Sequence, residues 1–180
     1  YIPAEFGYLL ALPPDNVTAI WPASGFASAG VVLLGYSGLP GVFLGSLIAN
    51  LHHKITFTEM LSPIVFDHLS LPSWIALGAI LESLLVAFII KRFIGFPNSF
   101  TNWKDIFMLF IVAGILGAIP SPTIGVTTLY FMGYIPLGNY LYNWYSWWIG
   151  NSLGIIAIAP ILITMSSPNE YISFKRKIYI

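Results

Sequence analysis

A chain of 180 residues that is 57% hydrophobic and only 8% charged sits far from the roughly 25% charged residues of a soluble domain. That composition indicates an integral membrane protein, and a net charge of zero with no long basic run excludes nucleic-acid binding. The absence of cysteine excludes disulfides and thiolate metal sites.

The stretches 16–53 and 106–169 contain no Asp, Glu, Lys or Arg. Each exceeds the ~20 residues that one helix needs to cross the hydrocarbon, so each holds more than one span. Runs such as LLVAFII and IIAIAPILI do not alternate apolar and polar residues as the strands of a membrane barrel would. The expected fold is therefore all-α, a polytopic transmembrane helical bundle of about six spans, with 1–165 as the bundle.

The first apolar run, 1–12, is too short to cross alone and reads as the second half of a partial first helix, ended by PPDN at 13–16. It lacks the layout of a signal peptide. Spans follow near 21–36 and 39–53, divided by GYSGLP at 35–40, and then 72–91, which opens at Pro72. The fifth, near 105–132, carries AIPSPTIG, where Pro120 and Pro122 must break or kink it because each lacks a donor. The sixth runs near 140–165, and 166–180 is a basic tail leading to a further span or to an output domain.

Alternation places Lys91, Arg92, Lys104, Lys175, Arg176 and Lys177 on one side and Lys54 on the other. Basic short loops stay cytoplasmic, so both termini are expected there, in a bacterial cytoplasmic (inner) membrane. The loops at 13–20, 54–71 and 133–139 then face outside, near Trp21, Trp74, Tyr134, Tyr140 and Trp144, whose rings suit the interface. Part of 54–71 carries an apolar helical face and is expected to lie along the membrane surface. Asn16-Val17-Thr18 is a glycosylation sequon on that side, meaningful only in a glycosylating host.

GNSLG at 150–154 matches the G-x-S-x-G pattern of serine hydrolases, but it lies mid-span, and the histidines, His52, His53 and His68, lie at or beyond the outer edge. The match is read as chance, and no catalytic residue is assigned. Those histidines with Glu59 and Asp67 compose at best a weak outer metal cluster, so no metal and no cofactor is expected. Gly150 with Gly154 and Gly41 with Gly45 have the small-xxx-small spacing that lets helix backbones approach in lipid. On the sixth span Asn143, Trp147, Gly150, Asn151 and Gly154 share a face, and on the third Ser46 and Asn50 do. Glu82 is the one ionisable side chain deep in a span; exposure to lipid would cost it several kcal/mol, so it should face the interior, paired or protonated. Asn50, Glu82 and Asn151 are either interhelical glue or the wall of a polar pocket.

Four motifs in order, WPASGFASAGVVLLG (21–35), PGVFLGSLIAN (40–50), ALGAILESLLVAFIIKR (76–92) and WWIGNSLGIIAIAP (147–160), resemble the membrane-associated sensor family MASE, type one. The resemblance implies a multi-span input module, not itself an enzyme, for a bacterial sensor histidine kinase or a diguanylate cyclase or phosphodiesterase, homodimeric through its output domains. It marks Trp21, Pro22, Gly25, Asn50, Glu82, Trp147, Trp148, Gly150, Asn151, Gly154 and Pro160. The family usually has aspartate where this chain has Asn151, and asparagine where it has Ala79. Its pattern also commonly continues into further spans.

On that basis the expected site is a pocket lined by Trp21, Ser24, Asn50, Glu82, Trp147 and Asn151, taking a small-molecule ligand or a membrane partner protein. The alternative is a transporter or its substrate-binding subunit, which would use the buried Glu82 and the carbonyls freed at the broken fifth helix.

Overall fold

The computed structural model describes residues 1–9, 11–12, 17–18, 20–52, 69–98 and 100–166. The sequon's side chains, the surface segment expected within 54–71, His53, Glu59, Asp67, His68 and the basic tail beyond Ser166 lie outside the described residues.

Among the described residues the elements are helical apart from a two-residue antiparallel pairing of Ala11–Leu12 with Val17–Thr18. Helix α1 is Ile2–Leu9. Helix α2, Pro22–Leu34, opens with proline in its first turn, where no donor is required, and closes at Gly35, whose φ of 66° suits glycine. A 3-10 turn, Gly35–Gly38, brings Gly38 back against the Gly30 carbonyl before α3, Leu39–His52. Helix α4, Ser70–Ile89, runs on through a π-helical turn, Ile90–Ile94, that presents Lys91 and Arg92 to the surface and ends at Gly95, φ 92°. A short connection tied by Asn98, which bonds the Ile94 carbonyl and Asp105, leads to α5, Trp103–Phe107, capped by Asn102. A π-helical run, Met108–Leu116, continues it. Helix α6 is Pro120–Phe131 and α7 is Tyr140–Met165, with Pro160 inside it.

Among the described residues four helical segments are long and apolar enough to cross a membrane: Pro22–His52, Ser70–Ile94, Trp103–Phe131 and Leu137–Met165. The expected six spans are more than this. Helix α1 has 8 residues, and the second and third expected spans fall within one helical run folded at Gly35. Its two arms have 13 and 14 residues. At ~1.5 Å per residue each covers roughly 20 Å of a ~30 Å core.

Packing fixes the directions. Trp21 meets Gly150, and Gly25 meets Gly154 and Ile158, so α2 and α7 run parallel. Gly78 meets Ser121 and Ile124 while Gly117 meets Val86, so α4 and α6 run antiparallel. The close-packed core, including Val32, Val86, Ile90, Leu109, Ile155 and Ile163, fills the end of the bundle that carries Lys91 and Arg92. Large apolar side chains such as Leu81, Phe88, Phe110 and Ile161 point outward, the arrangement of a lipid-facing surface.

Candidate functional site

Away from that core, α4 and α7 are joined by one buried polar bond. Asn151 donates from Nδ2 to Glu82 Oε2 at 2.8 Å, and both side chains are 1% exposed. Asn151 lies one helical turn beyond Trp147 on the inward face of α7, and Glu82 lies one turn beyond Gly78 on α4. Ser24, from α2, lies close to the carboxyl and lines the same space. The amide is half satisfied: Asn151 Oδ1 is buried with no hydrogen-bond partner. A carboxyl in lipid must be kept from the hydrocarbon, and three helices supply that shelter together.

Beside this pair is a cavity of about 560 Å³, within the roughly 300–1,000 Å³ range of small-molecule sites. It lies in the gap between α2 and α3, from Leu34 and Gly38 at one end to Asn50 and Asn143 at the other, floored by α4 and α7 and partly covered by α1. Its wall includes Trp21, Ser24, Asn50, Glu82, Trp147 and Asn151, so the structure brings all six expected pocket residues around one space. Asn50 does not reach Glu82 by a hydrogen bond; its amide donates to the Ser46 carbonyl of its own helix at 2.9 Å.

The glycines divide into two groups. A side chain on Gly154 would strike the Trp21 carbonyl, and one on Gly25 would strike the Gly154 carbonyl and, at 2.6 Å, Ile158 Cβ. The Trp21 amide meanwhile donates to the Gly150 carbonyl at 2.8 Å. These residues let the start of α2 lie in the groove of α7. Gly41 and Gly45, grouped with them by spacing, are placed otherwise: a side chain on Gly41 would meet nothing within 4 Å, and Gly45 meets only the Tyr1 backbone nitrogen. Both line the cavity, and the bare Gly45 also lets the Tyr1 backbone approach α3 closely.

The broken fifth helix has a specific remedy. In the π register the amide of residue 120 would bond the Ile115 carbonyl, but that residue is proline and has no donor. Trp148 Nε1 fills the vacancy, donating to Ile115 O at 2.8 Å. One turn away Trp144 Nε1 donates to Thr123 Oγ1 at 3.0 Å, and the two indoles stack at 5.8 Å. Both rings therefore bind α7 to the interrupted helix. Ser152, of the hydrolase-like pattern, is buried in α7 with an unpartnered hydroxyl.

Several wall residues carry no signal in the sequence. Tyr8 of the short α1 and Tyr1 just before it reach the cavity, and Ser121, in the motif read as a helix breaker, reaches it from α6. Trp147 is seated by Gly125, whose missing side chain leaves room for the indole ring. The histidine at the end of α3, His52, meets Glu5 of α1 at 3.6 Å and the Tyr1 hydroxyl at 3.3 Å. No group of metal-ligating side chains occurs among the described residues.

No curated protein and no solved structure matches this chain. A model of the MASE1 family, however, matches residues 2–174, nearly the whole sequence. The apolar helices and that match agree: the chain belongs to MASE1, the membrane-associated sensor domain family, a family of membrane-embedded sensory input domains and not of enzymes.

Proposed function

We propose that the cavity between α2, α3, α4 and α7 is where the stimulus acts, and that a small ligand or membrane partner occupying it shifts α7 relative to α4. The carrying observation is the Asn151–Glu82 hydrogen bond at the cavity wall, which links the helix before the basic turn to the last helix. A ligand that engages either group competes with the bond and favours one packing of the bundle over another. The displacement passes along α7 to a cytoplasmic output, a histidine kinase or a diguanylate cyclase or phosphodiesterase, working as a homodimer through its output domains. Lys91, Arg92 and Lys104 support a cytoplasmic position for that end in a bacterial inner membrane.

A complete switch from 1:99 to 99:1 needs ~5.5 kcal/mol of differential affinity. An interhelical polar contact in lipid supplies ~1 kcal/mol, so the bond biases the equilibrium and the ligand's other contacts complete the change. Transport has less support, because the carbonyl freed at the broken helix is already taken by Trp148. The test uses full-length protein carrying Glu82→Gln with Asn151→Ala. Altered basal output or lost stimulus response supports sensing at this pair; wild-type output across all stimuli, with normal membrane insertion, refutes it.

A further inference from the structure

The chemistry of the cavity wall narrows what fits inside, granted that this cavity is the sensing site. Among its described lining residues there is one carboxyl, Glu82, and no lysine, arginine or histidine. The remaining polar groups are side-chain amides, serine hydroxyls, phenols and indole N–H groups, so no described side chain offers an anion a fixed positive charge. An anionic ligand would lose its hydration with no cationic partner, beside a carboxyl already in the wall.

Acceptor capacity, by contrast, is left over. Asn151 spends its amide N–H₂ on Glu82 and keeps Oδ1 buried and unpartnered in the wall. Aromatic rings line the same space: Tyr8 packs edge-on to Trp21 with ring centroids 5.0 Å apart, and Trp147 joins them from α7. Aromatic rings attract a desolvated cation through their negative faces. The rest of the wall is small or apolar, with Ala23, Ala27, Leu71 and Ile75 facing the gap.

We propose that the cavity is a binding site for a compact organic cation, its ammonium head against Glu82 and Asn151 and its apolar body along α2 and α4. The head provides the donor that Asn151 Oδ1 lacks, and the rings of Trp21, Tyr8 and Trp147 enclose it. Binding competes with the Asn151–Glu82 bond, which makes occupancy and helix packing one equilibrium.

The experiment is isothermal titration of the full-length protein in lipid nanodiscs with three probes that share one body and differ in the head: 2-phenylethylammonium, 2-phenylethanol and phenylacetate. The ammonium probe is expected to bind saturably and about tenfold or more tighter than the other two, and to lose about tenfold in Glu82→Gln. Ala27→Phe, which fills the cavity without touching the polar pair, is expected to abolish binding and carries the test where Glu82→Gln fails to insert. The proposal is overturned if the alcohol or the carboxylate binds as tightly as the amine, if Glu82→Gln binds the amine unchanged, or if no saturable binding of the amine occurs. Output measured alongside separates the two levels: amine binding without a change in output supports the cation site and counts against sensing, whereas output driven by the carboxylate or alcohol alone keeps sensing and overturns the cation assignment.

Discussion

The two sides of α2 are built from the same small residues and do opposite things. Toward α7, Gly25 and Gly154 press backbone against backbone, and the Trp21 amide reaches across to the Gly150 carbonyl. Toward α3, Gly30 and Gly41 would meet nothing within 4 Å if they carried side chains, and the space between the arms is the cavity. In lipid the attraction between helices comes from close contact and hydrogen bonds, not from excluding water. The α2–α7 seam is thus the closed side of α2 and the α2–α3 gap the open one. Glycine spacing alone does not say which a given helix face will be; the partner opposite decides.

The largest expected effect comes from wedging the closed seam. Gly154→Leu forces a side chain into the Trp21 backbone and should destabilise the domain by about 3 kcal/mol or more, read as loss of folded protein in detergent–SDS unfolding. Next is Trp148→Phe, which keeps the ring but leaves the Ile115 carbonyl unpaired. A cost of about 2 kcal/mol is expected in the same assay. The wall bond is smaller still: a double-mutant cycle of Glu82→Ala and Asn151→Ala should return a coupling of about 1 kcal/mol. A coupling near zero would mean that the pair does not link α4 to α7 in the membrane. Smallest is Gly41→Ala, in open space on the other side of the gap, which should stabilise by about 0.5 kcal/mol through helix propensity. A loss like that of Gly154→Leu would show that the gap is closed in the membrane.

Much of this was legible in the residues. Composition alone gives a membrane helical bundle, and a lone carboxyl in lipid has to turn inward, which is why Glu82 and Asn151 could be placed on facing sides. The pairing of Gly25 with Gly154, residues 21–35 against 147–160, was not legible, because a small-residue stripe names a face but not its neighbour. Gly41 and Gly45 show the same limit from the other side. The proline motif told where the fifth helix breaks, yet the π-helical run before Pro120 leaves no pattern in composition, and Trp148 as the replacement donor follows only once that register is known. The expected six spans exceed the four long helical segments of the described residues because apolar length alone does not make a crossing. The run Pro22–His52 is long enough in sum, but its fold at Gly35 gives two short arms.

The central claim is that occupancy of the α2–α3 gap sets the state of the output, and it is tested most directly by filling that gap permanently. Ala27→Phe places a ring in the cavity from the α2 side while leaving the α2–α7 seam and the Glu82–Asn151 bond in place. The mechanism predicts that full-length protein with this substitution, inserted at normal levels, holds its kinase or cyclase output in one state and no longer responds to stimulus. Wild-type basal output together with a wild-type stimulus response would contradict it.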